Sequence, residues 1–169
     1  VRRFAGMRVA VSLKGAVLHA PTLFDAVVRD LELVCDAGLR PLVVVPHAAD
    51  ATAVYAALND TAARARVFDP VLPPIAAWLD RGGLAVVPMA PDPGELVARC
   101  TKLGIEKLLV LADDQGLIDG AGLVSLLSLE QAAVGLKAHR FDARDGDFLA
   151  LAGHATTQKL SNLHLIDGR

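Results

Sequence analysis

The sequence predicts an α/β fold, a three-layer αβα sandwich built on a mainly parallel sheet. Short apolar runs at Leu42–Val45, Leu84–Val87 and, behind a leading lysine, Lys107–Ala112 have the pattern of strands buried on both faces, as parallel strands are. Between them lie stretches with apolar residues at helical spacing, so strands and helices alternate along the chain. Hydrophobic residues make up 53% of the 169 residues but aromatics only 4%. The core is therefore built from Ala, Val and Leu, which suits flat strands under Ala-rich helices.

Met7–Leu13 reads as the first strand, followed by a turn at Lys14-Gly15. Pro21 to Ala37 carries Leu23, Phe24, Val27, Val28, Leu31, Val34 and Cys35 on one helical stripe. Pro21 sits at its start, where a missing N–H costs little, and Gly38 stops it. Leu42–Val45 completes a βαβ unit with an expected right-handed crossover. Ala49 to Ala65 is a second helical stretch, and Val71 to Arg81 a third, ended by Gly82-Gly83. The strand Leu84–Val87 is closed by Pro88, and a helix from Pro93 to Leu103 is ended by Gly104. After the strand Lys107–Ala112, a short helix is expected over Leu126–Ala133, with further strands at Lys137–Phe141, Phe148–Ala152 and Asn162–Ile166. Pro and Gly cluster around residues 88–94 as a loop. With no repeat or linker, residues 1–169 are expected to form a single domain.

Charge and cysteines narrow the function. The net charge is −2 and the pI about 6.2, so the chain lacks the basic field of a nucleic-acid binder. Cys35 and Cys100 stand in apolar, helix-like stretches without metal spacing and read as small buried hydrophobes in a reducing, cytoplasmic setting. No apolar run reaches the ~18 residues of a membrane span, and no apolar segment of signal-peptide length follows the start.

Several blocks then agree with one family. Val11-Ser-Leu-Lys-Gly-Ala-Val-Leu18, Asp30-Leu31 and Gly38-Leu-Arg-Pro-Leu-Val-Val-Val45 follow a strand, K-x-G-G turn, helix and second strand. Phe68-Asp-Pro and Leu79-Asp-Arg-Gly-Gly-Leu-Ala-Val-Val-Pro88 form a second block. Leu103-Gly-Ile-Glu-Lys-Leu-Leu-Val-Leu-Ala-Asp-Asp-Gln-Gly-Leu117 is similar to L-G-A-E-K-L-I-x-L-T-D-V-P-G-L and continues into Leu126-Leu-Ser-Leu-Glu130. The chain closes on Leu163-His-Leu-Ile-Asp-Gly-Arg169, similar to V-H-I-I-D-G-R. In this order the blocks resemble an acetylglutamate kinase of the amino-acid-kinase family, in a shortened form with altered motifs. The resemblance implies an amino-acid-kinase-like fold, ATP and Mg as cofactors, a small carboxylate as ligand, and assembly as a homo-oligomer or with a related kinase subunit.

Such kinases move the γ-phosphoryl group of ATP to a carboxylate, and the protein supplies positioning and positive charge. The resemblance places the family's first-strand Lys on Ser12. Lys14 takes the first Gly of the pair, leaving Gly15 to face phosphate; Lys14 reads equally as an exposed turn lysine. The H-G-G-G-P loop falls on Pro46-His-Ala-Ala-Asp50, where β-carbons obstruct close backbone approach. His47 is then a candidate general acid or anion donor, or a helix cap. Asn-Ala-Asp falls on Pro91-Asp92-Pro93, where Asp92 stands in for the Asp or marks a helix start. Asp113 and Gly116 match the nucleotide-side T-D and its glycine. Lys159 matches the later Lys of G-G-M-x-x-K through a one-residue insertion in Gly153–Lys159. Gly135 to Leu149 resembles a segment that comes earlier in the family, or else a hairpin with an Asp-Gly turn; it contributes Arg144 as a third clamp residue.

Asp142, Asp145 and Asp147 lack the closing Glu of a calcium loop and read as a solvated turn. His139, His154 and His164 lack metal-ligand spacing. No metal site is expected from these residues, and neither a dinucleotide fingerprint nor a P-loop occurs. With several charge-bearing elements changed together, the resemblance implies a catalytically impaired, nucleotide-binding or regulatory subunit linked to arginine-type biosynthesis. The alternative is an active ATP-dependent kinase acting on N-acetylglutamate or another small carboxylate, with Lys14, Lys159 and Arg144 as a rebuilt clamp.

Overall fold

The computed structural model describes residues 5–59, 64–89, 92–112, 118–119, 122–123, 134, 146–158, 160 and 162–167. The elements run β1 (Arg8–Leu13), α1 (Gly15–His19), α2 (Pro21–Asp36), β2 (Arg40–Val45), α3 (Ala48–Asn59), β3 (Ala65–Val67), α4 (Leu72–Asp80), β4 (Leu84–Pro88), α5 (Pro93–Lys102) and β5 (Lys107–Ala112). A two-residue antiparallel pair, β6 (Ile118–Asp119) with β7 (Gly122–Leu123), precedes α6 (Gly146–Gln158) and β8 (Asn162–Asp167). Six strands form one sheet in the order β3-β4-β2-β1-β5-β8, every pair parallel.

Strand parity builds two cores. Ala10, Leu42, Val44, Ala85, Val87, Leu108 and Val110 face α4, α5 and α6, and meet Ile75, Leu79, Leu96, Val97, Cys100 and Leu151 there. Val11, Leu13, Val43, Val45, Leu84 and Val86 face the other way, against Val17 of α1, Val27 and Leu31 of α2, and Val54 and Leu58 of α3. Both sheet faces are thus dry, which is why the strands read as continuous apolar runs. Each fully buried Val or Leu is worth about 1.5–3 kcal/mol, far more than the few tenths that separate helix and strand propensities.

Crossover direction explains the layers. From β1 to β2 and from β2 to β3 the chain steps toward the β3 edge, and its helices α1, α2 and α3 lie on one face. From β3 to β4, β4 to β5 and β5 to β8 it steps the opposite way, and α4, α5 and α6 lie on the other face. Reversing both direction and face preserves one crossover hand, as the rule for parallel βαβ units requires.

Helix ends follow their local chemistry. Gly38 adopts φ +83 past the end of α2, and the Leu39 N–H donates to the Val34 carbonyl at 3.1 Å, a Schellman closure. At the amino-terminal end of the sheet, the Asp80 carboxylate accepts from Arg8 at 2.5 Å and Arg40 at 3.2 Å, and Arg8 also donates to the Leu103 carbonyl. The hydrogen bond from Arg8, reinforced by the charges of Arg8 and Arg40, holds the Asp80 carboxyl below the usual range against a smaller opposing effect of burial. The group is exposed, so the ion pairs tie β1, β2 and α4 in register more than they stabilise the chain.

Three expectations need correction. Phe148–Ala152 is not a strand but part of α6; its apolar run is helical, with Leu151 and Ala155 buried against α5. A short apolar run fits either element, and here tertiary packing selects the helix. The helix expected from Ala49 to Ala65 ends at Asn59, and Ala65–Val67 pairs with β4 as an edge strand; alternating Arg and apolar residues from Arg64 to Phe68 carry that signal. Lys14-Gly15 is a turn only in part, because Gly15 opens the short helix α1. The helix expected over Leu126–Ala133 and the strand over Lys137–Phe141 lie outside the described residues.

Candidate ligand cleft

The strand order reverses direction between β1 and β5. In open parallel sheets such a switch point leaves a crevice beyond the carboxyl ends of the strands, where ligands bind. A second reversal falls between β2 and β4, whose following helices α3 and α5 lie on opposite faces, and a half-open cleft of about 50 Å³ lies at the ends of β1, β2 and β4, walled by α5 and α6. Ser12, Lys14, Val44, Pro46, Met89 and Asp92 line it together with Leu96 and Leu151.

Each lining residue is placed by its element. Ser12 shares strand parity with Ala10, which packs on the α5–α6 side, so its hydroxyl faces the cleft floor. Lys14 leaves β1 with its N–H donating to the Leu111 carbonyl at 3.0 Å, while its own carbonyl accepts from the N–H groups of Val17 and Leu18. This lysine therefore joins the neighbouring strand end to α1, and its side chain lines the cleft. Gly15 has no need of its missing side chain: a Cβ there would meet nothing closer than 3.9 Å, at His19. Met89 is held by its N–H on the Val45 carbonyl at 2.9 Å.

Two candidates stand at helix starts. His47 is exposed; its N–H donates to the Asp50 carboxylate at 3.2 Å, and its carbonyl accepts from Ala51 at 3.1 Å. The backbone of His47, not its imidazole, thus enters the first turn of α3, with Ala48 and Ala49 already helical. Asp92 caps α5, its carboxylate accepting from the Glu95 N–H at 2.6 Å, and it also lines the cleft. On α6, the His154 ring lies over Gly94, where a Cβ would sit 3.1 Å from Cε1. This glycine lets the two helices close together behind the cleft. Asp113, Gly116, Arg144 and Lys159 lie outside the described residues.

The described lining does not fit a Mg-triphosphate. The Asp92 carboxylate is engaged by a backbone N–H, the loop positions that would cradle phosphate carry the β-carbons of Ala48 and Ala49, and no cluster of three His, Cys, Asp or Glu side chains able to hold a metal occurs among the described residues. Cys100 is buried and its thiol is pushed up to about 12 by that burial. Cys35 is pushed up to about 11, first by burial and then by the charges of Asp36 and Glu32. Both are structural thiols rather than nucleophiles. The apolar wall of Met89, Leu96 and Leu151 was not picked out by sequence reasoning; Leu151 stayed hidden while its segment read as a strand.

No protein-family model matches the sequence, and no curated protein matches it. Solved structures do. N-acetylglutamate synthase from Neisseria gonorrhoeae, complexed with coenzyme A and N-acetyl-glutamate, superposes on 99% of this chain with a TM-score of 0.79 at 14% identity. Carbamate kinase from Giardia lamblia, bound to AMP-PNP, covers 97% of this chain and 93% of its own, with a TM-score of 0.72 at 13% identity. UMP kinase from Ureaplasma parvum covers 95% of this chain and 89% of its own, with a TM-score of 0.68 at 11% identity. The fold is that of the amino-acid kinases. The chain spans only 55% of the synthase, about half its length. No described helix is long and apolar enough to cross a membrane.

Proposed function

We propose that this chain is a catalytically impaired, acetylglutamate-kinase-like protein, a single domain that binds a small ligand in its strand-end cleft and acts as a regulatory or structural subunit in arginine-type amino-acid biosynthesis. One observation carries the reading: among the described residues lining the cleft, the charged side chains are one lysine, Lys14, and one carboxylate, Asp92. Phosphoryl transfer needs positive charge concentrated around the transferring group, and loss of a single such donor typically costs ~10²–10³ in rate. Ser12 stands where the family resemblance calls for a lysine, and the Asp92 carboxylate is engaged as the cap of α5. The roles remaining to Lys14 and Gly15 are contact with the ligand's anionic group; Asp113, Gly116, Arg144 and Lys159 are the positions through which a nucleotide would be held. Neighbours of the same fold are solved with N-acetyl-glutamate and with L-arginine, which makes amino-acid-derived carboxylates the first ligands to test.

The experiment is a thermal melt of the full chain with Mg-ATP, N-acetylglutamate and L-arginine, singly and together, alongside a coupled assay for ADP release. A ligand at 100 times its Kd adds ~2.7 kcal/mol of stability. The expected result is a melt shift with at least one carboxylate and no ADP above the rate of ATP alone. Carboxylate-dependent ADP release would instead establish the active kinase and overturn the proposal.

A further inference from the structure

We infer that the open edge of β3 is a docking strand for an extended segment of a partner protein that carries carboxylates at alternate positions. The surface is separate from the cleft, and binding there requires nothing of the small-molecule site.

Backbone direction makes the edge available. β3 ends the sheet and pairs with β4 alone. The Arg64 carbonyl accepts from the Leu84 N–H, and the Phe68 N–H donates to the Val86 carbonyl, both at 2.9 Å. Residues of this parity turn their backbone groups toward β4. Alternate residues of a strand turn theirs the other way, so the N–H and C=O groups of Ala65 and Val67 point to the edge, where no strand among the described residues meets them. Such groups are a template for an added strand.

Side chains decide which strand is taken. Arg64 and Arg66 share a face, that of α4, since Arg66 is in register with Ala85, which packs there. Arg64 lies over the Trp78 ring at 5.4 Å, and Arg66 over Phe68 at 5.1 Å and Trp78 at 5.8 Å. The rings hold the two cations in place and leave N–H donors for a carboxylate fork. Both arginines are exposed. Arg8 and Arg40 are paired with Asp80, and Arg99 with Glu95, whereas neither Arg64 nor Arg66 has a carboxylate partner among the described residues. An added strand sets its side chains roughly 5 Å from those of its neighbour, so carboxylates two residues apart meet Arg64 and Arg66 together. The residue between them falls on the other face, beside Val67, which is 37% exposed, and an apolar β-branched side chain suits it. Asp69, exposed just past the strand, disfavours a longer acidic run. Charges on a short edge ordinarily prevent indiscriminate pairing; these two repel basic strands and admit acidic ones, so the edge discriminates.

Isothermal titration of the full chain with the end-capped peptide Ser-Thr-Glu-Val-Glu-Thr-Ser tests this, against Ser-Thr-Glu-Glu-Val-Thr-Ser of the same composition and a form of the first peptide with Lys for both Glu. The alternating peptide should bind with a Kd below about 1 mM and about fivefold more tightly than its isomer, and the lysine form should not bind. Its affinity should fall about tenfold from roughly 0.05 to 0.5 M salt. Emission of Trp78, the only tryptophan, should shift on binding, because the guanidiniums over its ring are engaged. The alternating peptide N-methylated at its three central residues keeps both carboxylates but loses its backbone donors, and should bind about tenfold more weakly. Arg66→Met, which keeps an unbranched side chain over the rings, should weaken binding about fivefold. Equal binding of the two isomers, unaltered binding of the N-methylated peptide, or no binding at about 1 mM would each overturn the inference. Dimers of the chain that Arg66→Met dissolves would place a second copy on the edge instead of a partner, and would overturn it as well. The peptide comparisons on the wild-type chain decide the matter even if the variant misfolds. None of these outcomes alters the melts with carboxylates or nucleotide, so the reading of the cleft stands or falls separately.

Discussion

Gly83→Ala isolates the contact that joins α4 to β4. A Cβ built on Gly83 would stand 2.2 Å from Nε1 of Trp78, 2.4 Å from Cε2 and 2.7 Å from Cδ1. Ordinary contact begins roughly 1 Å further out, so the indole has to move. Its Nε1–H donates to the Leu84 carbonyl at 3.0 Å, and its ring meets Phe68 at 6.2 Å and lies under the Arg64 and Arg66 guanidiniums at 5.4 and 5.8 Å. Overpacking costs ~1–3 kcal/mol and the lost hydrogen bond ~0.5–1.5. The stiffer unfolded chain returns ~0.4–1. The net is a loss of about 2–3 kcal/mol, or a Tm lower by roughly 4–12 °C at this size. Trp78 is the only tryptophan, so urea unfolding followed by its fluorescence reads stability and ring environment together. Gly82→Ala is the control: a Cβ there meets nothing within 4 Å, though φ is +74, so it should cost about 1 kcal/mol with native emission unchanged. A Gly83→Ala protein within 0.5 kcal/mol of wild type, with the same emission maximum, would refute the reasoning.

Two further outcomes are expected. Asp92→Ala removes the α5 cap and should cost about 1 kcal/mol, most of it recovered by Asp92→Asn, as read by chemical denaturation; no loss would mean that the carboxylate is held for the ligand and not for the helix. For the buried thiol of Cys100, the unfolded chain ionises near the ordinary value of 9.0 and the folded chain only near 12. The unfolded state therefore binds fewer protons between these values, and stability falls as pH rises through the window. Cys100→Ala should show a shallower decline between pH 9 and 10.5 than wild type in urea titrations, and parallel declines would contradict this.

The sheet was legible because both its faces are buried, which leaves runs such as Leu42–Val45 and Lys107–Ala112 too apolar to be anything but central strands or buried helices, and their length decides for strands. Helix stops at Gly38 and Gly104 were equally plain. The misread segments share a cause. Phe148–Ala152 and the Ala-rich stretch beyond Asn59 are short segments that either geometry accepts, and what chose between them was contact with α5 in one case and pairing with β4 in the other. At the site, the family resemblance, laid on the segments that follow β1 and β2, pointed to Ser12, Lys14 and His47. It could not tell whether Asp92 closes a helix, because a cap and a ligand donor use the same side chains at the same loop positions. Nor could it find the Met89–Leu96–Leu151 wall, whose members come together only through packing.

All six strands of the main sheet run the same way, so their ends divide the molecule into a rim that holds the cleft and an opposite rim pinned by Arg8, Arg40 and Asp80. Between the rims, two dry cores hold the strands whatever the loops contain. Exposed substitutions at His47, Ala48 or Ala49 reach neither core, so the architecture is indifferent to whether those positions cradle phosphate. Such a scaffold can be repurposed: an ancestor's catalytic loop can erode, or a new one be written in, one residue at a time without an unfolded intermediate variant. For the same reason, a stable fold in this chain is no sign of retained catalysis, and engineers seeking to install activity would begin at Ser12 and the α3 entry and leave the strands alone.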